Sequence, residues 1–139
     1  MTRPMTRMIA GAALGAAAML ALAVATRAAE EPLDPRIAAY DKGPAKIDVS
    51  KYPPDMQARY KVLTAKCAKC HTIARVVNCE FALDDEWERY IKRMMRKAGT
   101  LISPDEGKQI FEFVVYDSKI RKKALYEKKL KEAEAKPGS

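Results

Sequence analysis

Apolar residues recur at helical spacing in three segments of the chain, which predicts an all-α fold. The first predicted helix begins near Pro54, with Asp55 in its opening turn, as proline and acidic residues favour. Tyr60 and Leu63 lie three residues apart along it and give it a short apolar face. We expect this face to pack on another helix.

A second helix is predicted from Asp84 to the residue before Gly99, which supplies a stop. Acidic residues lie at its start and basic residues at its end, where each complements the helix dipole. One apolar stripe follows it at spacings of four, three and four: Trp87, Ile91, Met94 and Ala98. Met94 is therefore expected to face inward, whereas Met95 is rotated by about 100° around the helix.

The third predicted helix starts with a capping box, in which Ser103 and Glu106 exchange hydrogen bonds. A wide apolar band follows and is expected to belong to the core: Ile110, Phe111, Phe113, Val114, Val115 and Tyr116. Beyond Ser118 apolar residues become sparse and lysines frequent. If the helix continues to Ala135 it has 32 residues and a length of about 48 Å, so we expect its end to project or fray.

The N-terminal residues 1–28 have the pattern of a secretory signal peptide. Arg3 and Arg7 precede an uncharged apolar run at 9–25, and small residues favour cleavage after Ala25 or Ala28. Export to a bacterial periplasm is the prediction. An uncleaved membrane anchor is the alternative, because the run approaches the roughly 17 residues that can span a bilayer.

The remaining chain divides by composition into three parts. Prolines and a glycine punctuate residues 29–53, which favours an extended arm. Residues 54–118 hold the predicted helices and form the expected domain. Basic and acidic residues number 15 each over 29–118, whereas the tail 119–139 has eight basic and three acidic residues. Outside the predicted signal peptide, the excess of basic residues therefore lies in this tail, which is predicted to be long and helical.

The run Cys67-Ala68-Lys69-Cys70-His71 has the order and spacing of the signature through which c-type haem is covalently attached. Both thiols project from one short turn, so they can reach two vinyl-derived carbons of the same porphyrin, and the adjacent imidazole faces its iron. His71 is the only histidine in the 139 residues. The chain alone thus provides one proximal ligand and one haem site.

Other interpretations of these cysteines stay open at this stage. A zinc site needs about four nitrogen or sulfur ligands, and Cys67, Cys70 and His71 with the remaining Cys79 form a cramped set. A redox dithiol is expected beside a βαβ pattern, which the sequence lacks. Once two cysteines hold haem, Cys79 is unpaired, and we expect it to be buried or to form an intermolecular disulfide.

With these residues in view, the chain resembles the class I monohaem cytochrome c family over about residues 55–118. A helix that runs into CxxCH, a middle helix with a methionine and a packed C-terminal helix carry the resemblance. The part of this region that follows CxxCH is similar to the sequences of bacterial members. The similar residues are Trp87, Ile91, Met94, Gly99, Ile102, Ser103, Glu106, Ile110 and Phe113. Two features depart from the family. Arg59 stands eight residues before Cys67, where the family often has a glycine. No proline lies between His71 and Pro104, whereas many members have one shortly after CxxCH, whose backbone carbonyl accepts a hydrogen bond from the proximal imidazole.

The resemblance implies a cytochrome c-like fold of three or more helices around one haem c, held by Cys67, Cys70, His71 and Met94. Met95 is the alternative distal ligand, and Met56 is the third methionine outside the predicted signal peptide. An open coordination position or a lysine is the remaining alternative. His/Met ligation raises the reduction potential and leaves no position for a substrate, so the implied function is electron transfer rather than catalysis.

The expected partners are redox proteins, acidic or membrane-bound, with no nucleic acid or small-molecule substrate, and the expected state is a monomer. The basic tail either steers the protein to an acidic partner or anionic lipid or is simply solvated. Arg75 and Trp87 are candidate partners of haem propionates, with an exposed arginine and a core tryptophan as the other interpretation. Two alternative functions stay open: a five-coordinate haem enzyme or gas sensor, and a permanently bound electron-transfer subunit.

Overall fold

The computed structural model describes residues 32–135, and over this range the chain is all-α, as the sequence predicts. The helices are α1 (Pro35–Asp41), α2 (Pro54–Cys67), α3 (Ile73–Asn78), α4 (Asp84–Ala98), a 3₁₀ helix (Gly99–Leu101), α5 (Pro104–Ile120) and α6 (Lys123–Glu134). None of these described helices has the length and apolar character needed to cross a bilayer. The predicted signal peptide, 1–28, and residues 136–139 lie outside the described range.

The three predicted helices are present as α2, α4 and α5. Helix α4 ends at Gly99, whose φ of 58° is a conformation that glycine adopts without a Cβ clash. The capping box of α5 forms as predicted: the Glu106 N–H donates to Ser103 Oγ at 3.2 Å, and the Ser103 N–H donates to Glu106 Oε2 at 2.9 Å. Local sequence signals therefore fix the ends of these helices.

Helix α5 lies in the middle of the fold and packs against both α2 and α4. Its buried face meets theirs in one core, whose largest members are Leu63, Trp87, Ile91, Ile110 and Phe113. The ring centroids of Tyr60 and Phe113 are 5.1 Å apart across the contact with α2. Arg59, at the departure from the family pattern, forms an ion pair with Glu112 of α5 at 2.8 Å.

The prediction of an extended arm is wrong for residues 35–41, which form α1. Pro35 occupies the first helical position, and the Asp34 carboxylate accepts from the Arg36 N–H at 2.8 Å. Helix α1 packs on α3, a six-residue helix that the sequence pattern did not predict. The Asn78 amide joins the two segments by donating to the carbonyl of Tyr40 at 3.0 Å.

The remainder of the arm is irregular and lies on the helical body. Ile47 is buried, and its N–H donates to Tyr60 Oη at 2.9 Å. Further along, the Tyr52 hydroxyl donates to the buried Asp117 carboxylate at 2.9 Å. Segment 42–53 therefore wraps the domain.

The tail is helical, but the third predicted helix does not continue to Ala135 as one element, and the tail helix does not project from the domain. The chain leaves helical geometry at Lys122, and α6 follows as a separate helix. The Lys122 ammonium donates to the carbonyls of Cys79 at 2.7 Å and Phe81 at 3.2 Å. Lys129 pairs with Glu86 at 2.6 Å. These long-range contacts bend the chain and hold α6 against the body.

Replacement of Ser118 by alanine is expected to destabilise the fold. The Trp87 indole N–H donates to Ser118 Oγ at 2.8 Å, and the two residues are only 1% and 0% exposed. Ser118→Ala leaves this buried donor unpaired, which should lower the free energy of unfolding by about 1–3 kcal/mol. Urea titration followed by far-ultraviolet circular dichroism measures the loss. Ser50→Ala, at an exposed position, is the control, and equal losses in both variants would contradict the argument.

Candidate functional site

The CxxCH motif lies where α2 ends. Cys67 is the last residue of α2 and is buried, whereas Cys70 is exposed on the turn that follows. Burial, with a smaller contribution from the neighbouring Cys70, raises the pKa of the Cys67 thiol to about 11. Both thiols are reduced in the structure, and one faces the interior while the other lies at the surface.

His71 is held in one tautomer by the backbone. Its Nδ1 lies 2.9 Å from the carbonyl oxygen of Thr72, which can only accept a hydrogen bond, so Nδ1 carries the proton. In this tautomer the lone pair on Nε2 is available to a metal. The Thr72 carbonyl thus takes the role that the family resemblance assigns to a proline carbonyl. Tyr90 Oη lies 3.5 Å from Nε2.

The motif borders a cavity of about 250 Å³, here called the CxxCH cavity. The end of α2 supplies one wall, and the last turns of α4 with the 3₁₀ helix supply another. The lining residues are Lys66, Cys67, Lys69, Cys70, His71, Arg75, Met94, Lys97, Ala98, Leu101 and Ile102. The structure therefore brings Cys67, Cys70, His71 and Met94 together, although Met94 is more than 20 residues from the motif in sequence.

Met95 lies elsewhere, between α4 and α5. It borders a separate cavity of about 180 Å³ with Phe111 and packs onto Gly107, where an added Cβ would overlap its sulfur. Met56 is in the first turn of α2 and does not line the CxxCH cavity. Of the methionines within 32–135, Met94 is thus the one at the motif.

Cys79 is buried, as expected for an unpaired cysteine that packs as a small apolar group. Its thiol donates to the carbonyl of Val76 at 3.3 Å, and burial raises its pKa. It does not line the CxxCH cavity. Among residues 32–135, no three His, Cys, Asp or Glu side chains are close enough to hold a metal ion, so the four-ligand zinc interpretation has no geometric support.

The two candidate propionate partners are in different places. Arg75 lines the CxxCH cavity and is oriented by Asp41, whose Oδ2 lies 2.5 Å from the guanidinium. Hydrogen bonds from Arg75 and Thr72 lower the pKa of the Asp41 carboxyl. Trp87 is a core residue bonded to Ser118 and does not line the cavity. Arg75 alone is positioned for a carboxylate in the cavity.

Sequence reasoning did not identify Thr72, Asp41 or Tyr90 as site residues. Tyr90 had a signal, because it precedes Met94 by four residues and shares its helix face. Thr72 acts through its backbone, and Asp41 reaches the site from a helix that the sequence pattern did not predict.

The chemistry of this donor set fits a c-type haem. Two thiols, an imidazole with a free Nε2 and a thioether meet at one cavity with apolar walls, and cationic side chains at its edge suit carboxylates. Sites that enclose a small-molecule ligand usually measure about 300–1,000 Å³. At about 250 Å³ the CxxCH cavity is smaller, so it would enclose only part of a porphyrin, and its rim includes the exposed Cys70 and Leu101.

Unpaired positive charge lies at the mouth of this cavity. Lys69 and Lys97 are exposed and form no ion pair within the described residues. No Asp or Glu is among the residues that line the cavity with them. By contrast, several tail lysines have acidic partners: Lys119 with Asp84, Lys123 with Glu127, Lys128 with Glu132 and Lys129 with Glu86. Ion pairs thus neutralise part of the excess positive charge of the tail, while the cavity mouth stays cationic.

The chain matches no family model, no curated protein and no solved structure. The residues that meet at the CxxCH cavity are therefore what supports a function.

Proposed function

We propose that the protein is a monohaem c-type cytochrome that carries electrons in the periplasm and is not an enzyme. The observation that supports this most is the convergence of Cys67, Cys70, His71 and Met94 on one cavity. The motif alone would account for covalent attachment of a haem. The presence of a thioether at the same cavity favours a carrier over a five-coordinate enzyme or sensor, because it provides the sixth ligand.

Cys67 and Cys70 would tether the cofactor. Each thiol adds across a vinyl group, with sulfur bonding to one carbon and the thiol hydrogen going to the other. His71 would hold iron through Nε2, because its Nδ1–H is engaged by the Thr72 carbonyl. This backbone bond also fixes the ring orientation and makes Nε2 a better donor.

Met94 would be the distal ligand. Its thioether sulfur is a soft donor that favours Fe(II), so it raises the reduction potential. The bound haem supplies one-electron exchange between Fe(II) and Fe(III). Ala98 and the buried Ile102 would form an apolar inner wall, and the outer edge would stay open beside the exposed Cys70. This arrangement suits electron exchange with another protein.

The partner proposed here is an acidic protein surface that docks over the cavity mouth. Lys69 and Lys97 provide charge there without internal carboxylate partners in the described range. Docking at this point places the exposed cofactor edge next to the partner. Helix α6, whose Lys129 and Lys122 hold it to the body, is the weaker candidate for a docking element.

Loss of both motif cysteines is expected to abolish covalent haem attachment. Cys67→Ala/Cys70→Ala, produced with its export signal and the haem maturation machinery, should lack the added mass of one haem in intact-protein mass spectrometry. Cys79→Ala is the matched control and should keep it, because its thiol does not line the cavity. Wild-type protein without haem under the same conditions would refute the proposed function.

Met94→Ala is expected to abolish iron–sulfur ligation, while Met95→Ala preserves it. The readout is the weak near-infrared charge-transfer band that a ferric haem shows when a thioether is bound. Met94 lines the CxxCH cavity, and Met95 packs against Gly107. Persistence of the band in Met94→Ala would exclude this residue as the ligand.

Removal of charge at the cavity mouth is expected to weaken docking more than removal of the same charge from α6. Lys69→Gln/Lys97→Gln and Lys123→Gln/Lys128→Gln each delete two positive charges. Adsorption of the holoprotein to a carboxylate-terminated monolayer at low ionic strength should fall several-fold for the first pair and little for the second. Equal losses would show that net charge, rather than the cavity mouth, governs docking.

A further inference from the structure

Four lysine and arginine side chains line the CxxCH cavity, and two of them are paired with carboxylates that do not line it. Lys66 pairs with Glu106 at 2.8 Å, and Arg75 pairs with Asp41 at 2.5 Å. The second pair is the more shielded, since its side chains are 25% and 19% exposed. Solvent screens such a pair less than a fully exposed one, so its charges act more strongly on the cavity.

Three donors fix the carboxylate of Asp41, the last residue of α1. Oδ2 accepts from Arg75 Nη2 at 2.5 Å, and Oδ1 accepts from Arg75 Nε at 3.1 Å and from Thr72 Oγ1 at 2.5 Å. Two parallel bonds between a guanidinium and a carboxylate add geometric specificity to their attraction. Asp41 therefore fixes a side chain of the cavity lining from outside the cavity.

The backbone on either side of Asp41 is held by α3. The Asn78 amide donates to the carbonyls of Tyr40 and Pro44, each at 3.0 Å. An added Cβ at Gly43 would overlap the Asn78 side chain, so the two segments lie in close contact there. The packing of α1 on α3 thus positions the carboxylate independently of its ion pair.

We propose that Asp41 sets the reduction potential of the haem by holding Arg75 at the cavity edge and neutralising its charge. This inference rests on the proposed function. A positive charge near the iron favours Fe(II), and a negative charge favours Fe(III). With the pair intact the two charges largely cancel at the cavity, so the potential is lower than Arg75 alone would make it. Asp41 acts through Arg75 and is a positioning residue, not a ligand.

The test measures the midpoint potential of the full chain, matured with haem, by spectroelectrochemistry. Asp41→Asn leaves Arg75 unbalanced and should shift the midpoint to a more positive value, with a several-fold higher ratio of reduced to oxidised protein at a fixed applied potential. Arg75→Gln leaves Asp41 unbalanced and should shift the midpoint to a more negative value. The double variant has neither charge and should return close to the wild-type midpoint.

The signs of these shifts separate charge balance from structural damage. Each single substitution breaks the same ion pair, so a purely structural effect would move both midpoints in the same direction, and that result would overturn the inference.

Asp34→Asn is the matched control. It removes one negative charge from the other end of α1, where the partner is Arg36, a residue that does not line the CxxCH cavity. Asparagine also serves as an N-cap, so α1 keeps its start. The midpoint should stay close to the wild-type value, and a shift equal to that of Asp41→Asn would overturn the inference.

Mass spectrometry of the same samples separates the two proposals. All variants keep CxxCH and should carry one haem. If they do and the Asp41→Asn midpoint equals that of the wild type, the inference is overturned while the proposed function stands. If no sample, including the wild type, carries haem, the proposed function fails and the inference fails with it. Should Asp41→Asn fail to accumulate, Arg75→Gln decides, because an unchanged or more positive midpoint there overturns the inference.

Discussion

The packing of α5 against two other helices is the constraint on which the site depends. Helices α2 and α4 have few direct contacts with each other, and both pack on α5. The CxxCH motif ends α2, and Met94 lies near the end of α4, so their meeting at one cavity is a consequence of that shared neighbour. Phe113, fully buried at the centre of α5, and Gly107, which admits the Met95 side chain, set how closely the three helices approach. The packing of the core therefore determines how the four proposed ligand residues lie relative to one another.

The sequence predicted the helices that have local signals and missed the structure that depends on distant contacts. Helices α4 and α5 have charges, caps or a terminal glycine that specify their ends, and each has one apolar stripe. Helix α3 is too short for periodicity to show, and it is fixed to α1 by Asn78. The break at Lys122 has no glycine or proline to announce it. It arises because the ammonium reaches carbonyls more than 40 residues away in sequence.

The candidate site likewise has parts that the sequence predicts and parts that depend on distant contacts. CxxCH identifies three of the four proposed ligand residues without a structure, and the apolar stripe of α4 distinguishes Met94 from its neighbour. The position of Tyr90 relative to His71 could not be predicted, because it depends on how α4 lies across the turn after α2. The count of charged residues also misled, because it placed the unpaired positive charge in the tail. The tail has the excess in sequence, but ion pairs of Lys119 and Lys129 with acidic residues of the body neutralise part of it. Lys69 and Lys97 form no ion pair within the described residues and leave unpaired charge at the cavity.

The hydrogen bond from His71 to the Thr72 carbonyl has a consequence for how such sites evolve. Every residue type contributes the same main-chain oxygen, so this acceptor is encoded by the path of the backbone and persists when the side chain at position 72 changes. Selection at this point acts on conformation rather than on residue identity. A histidine anchored in this way leaves no trace in a residue motif, because any residue type immediately after CxxCH can supply the acceptor.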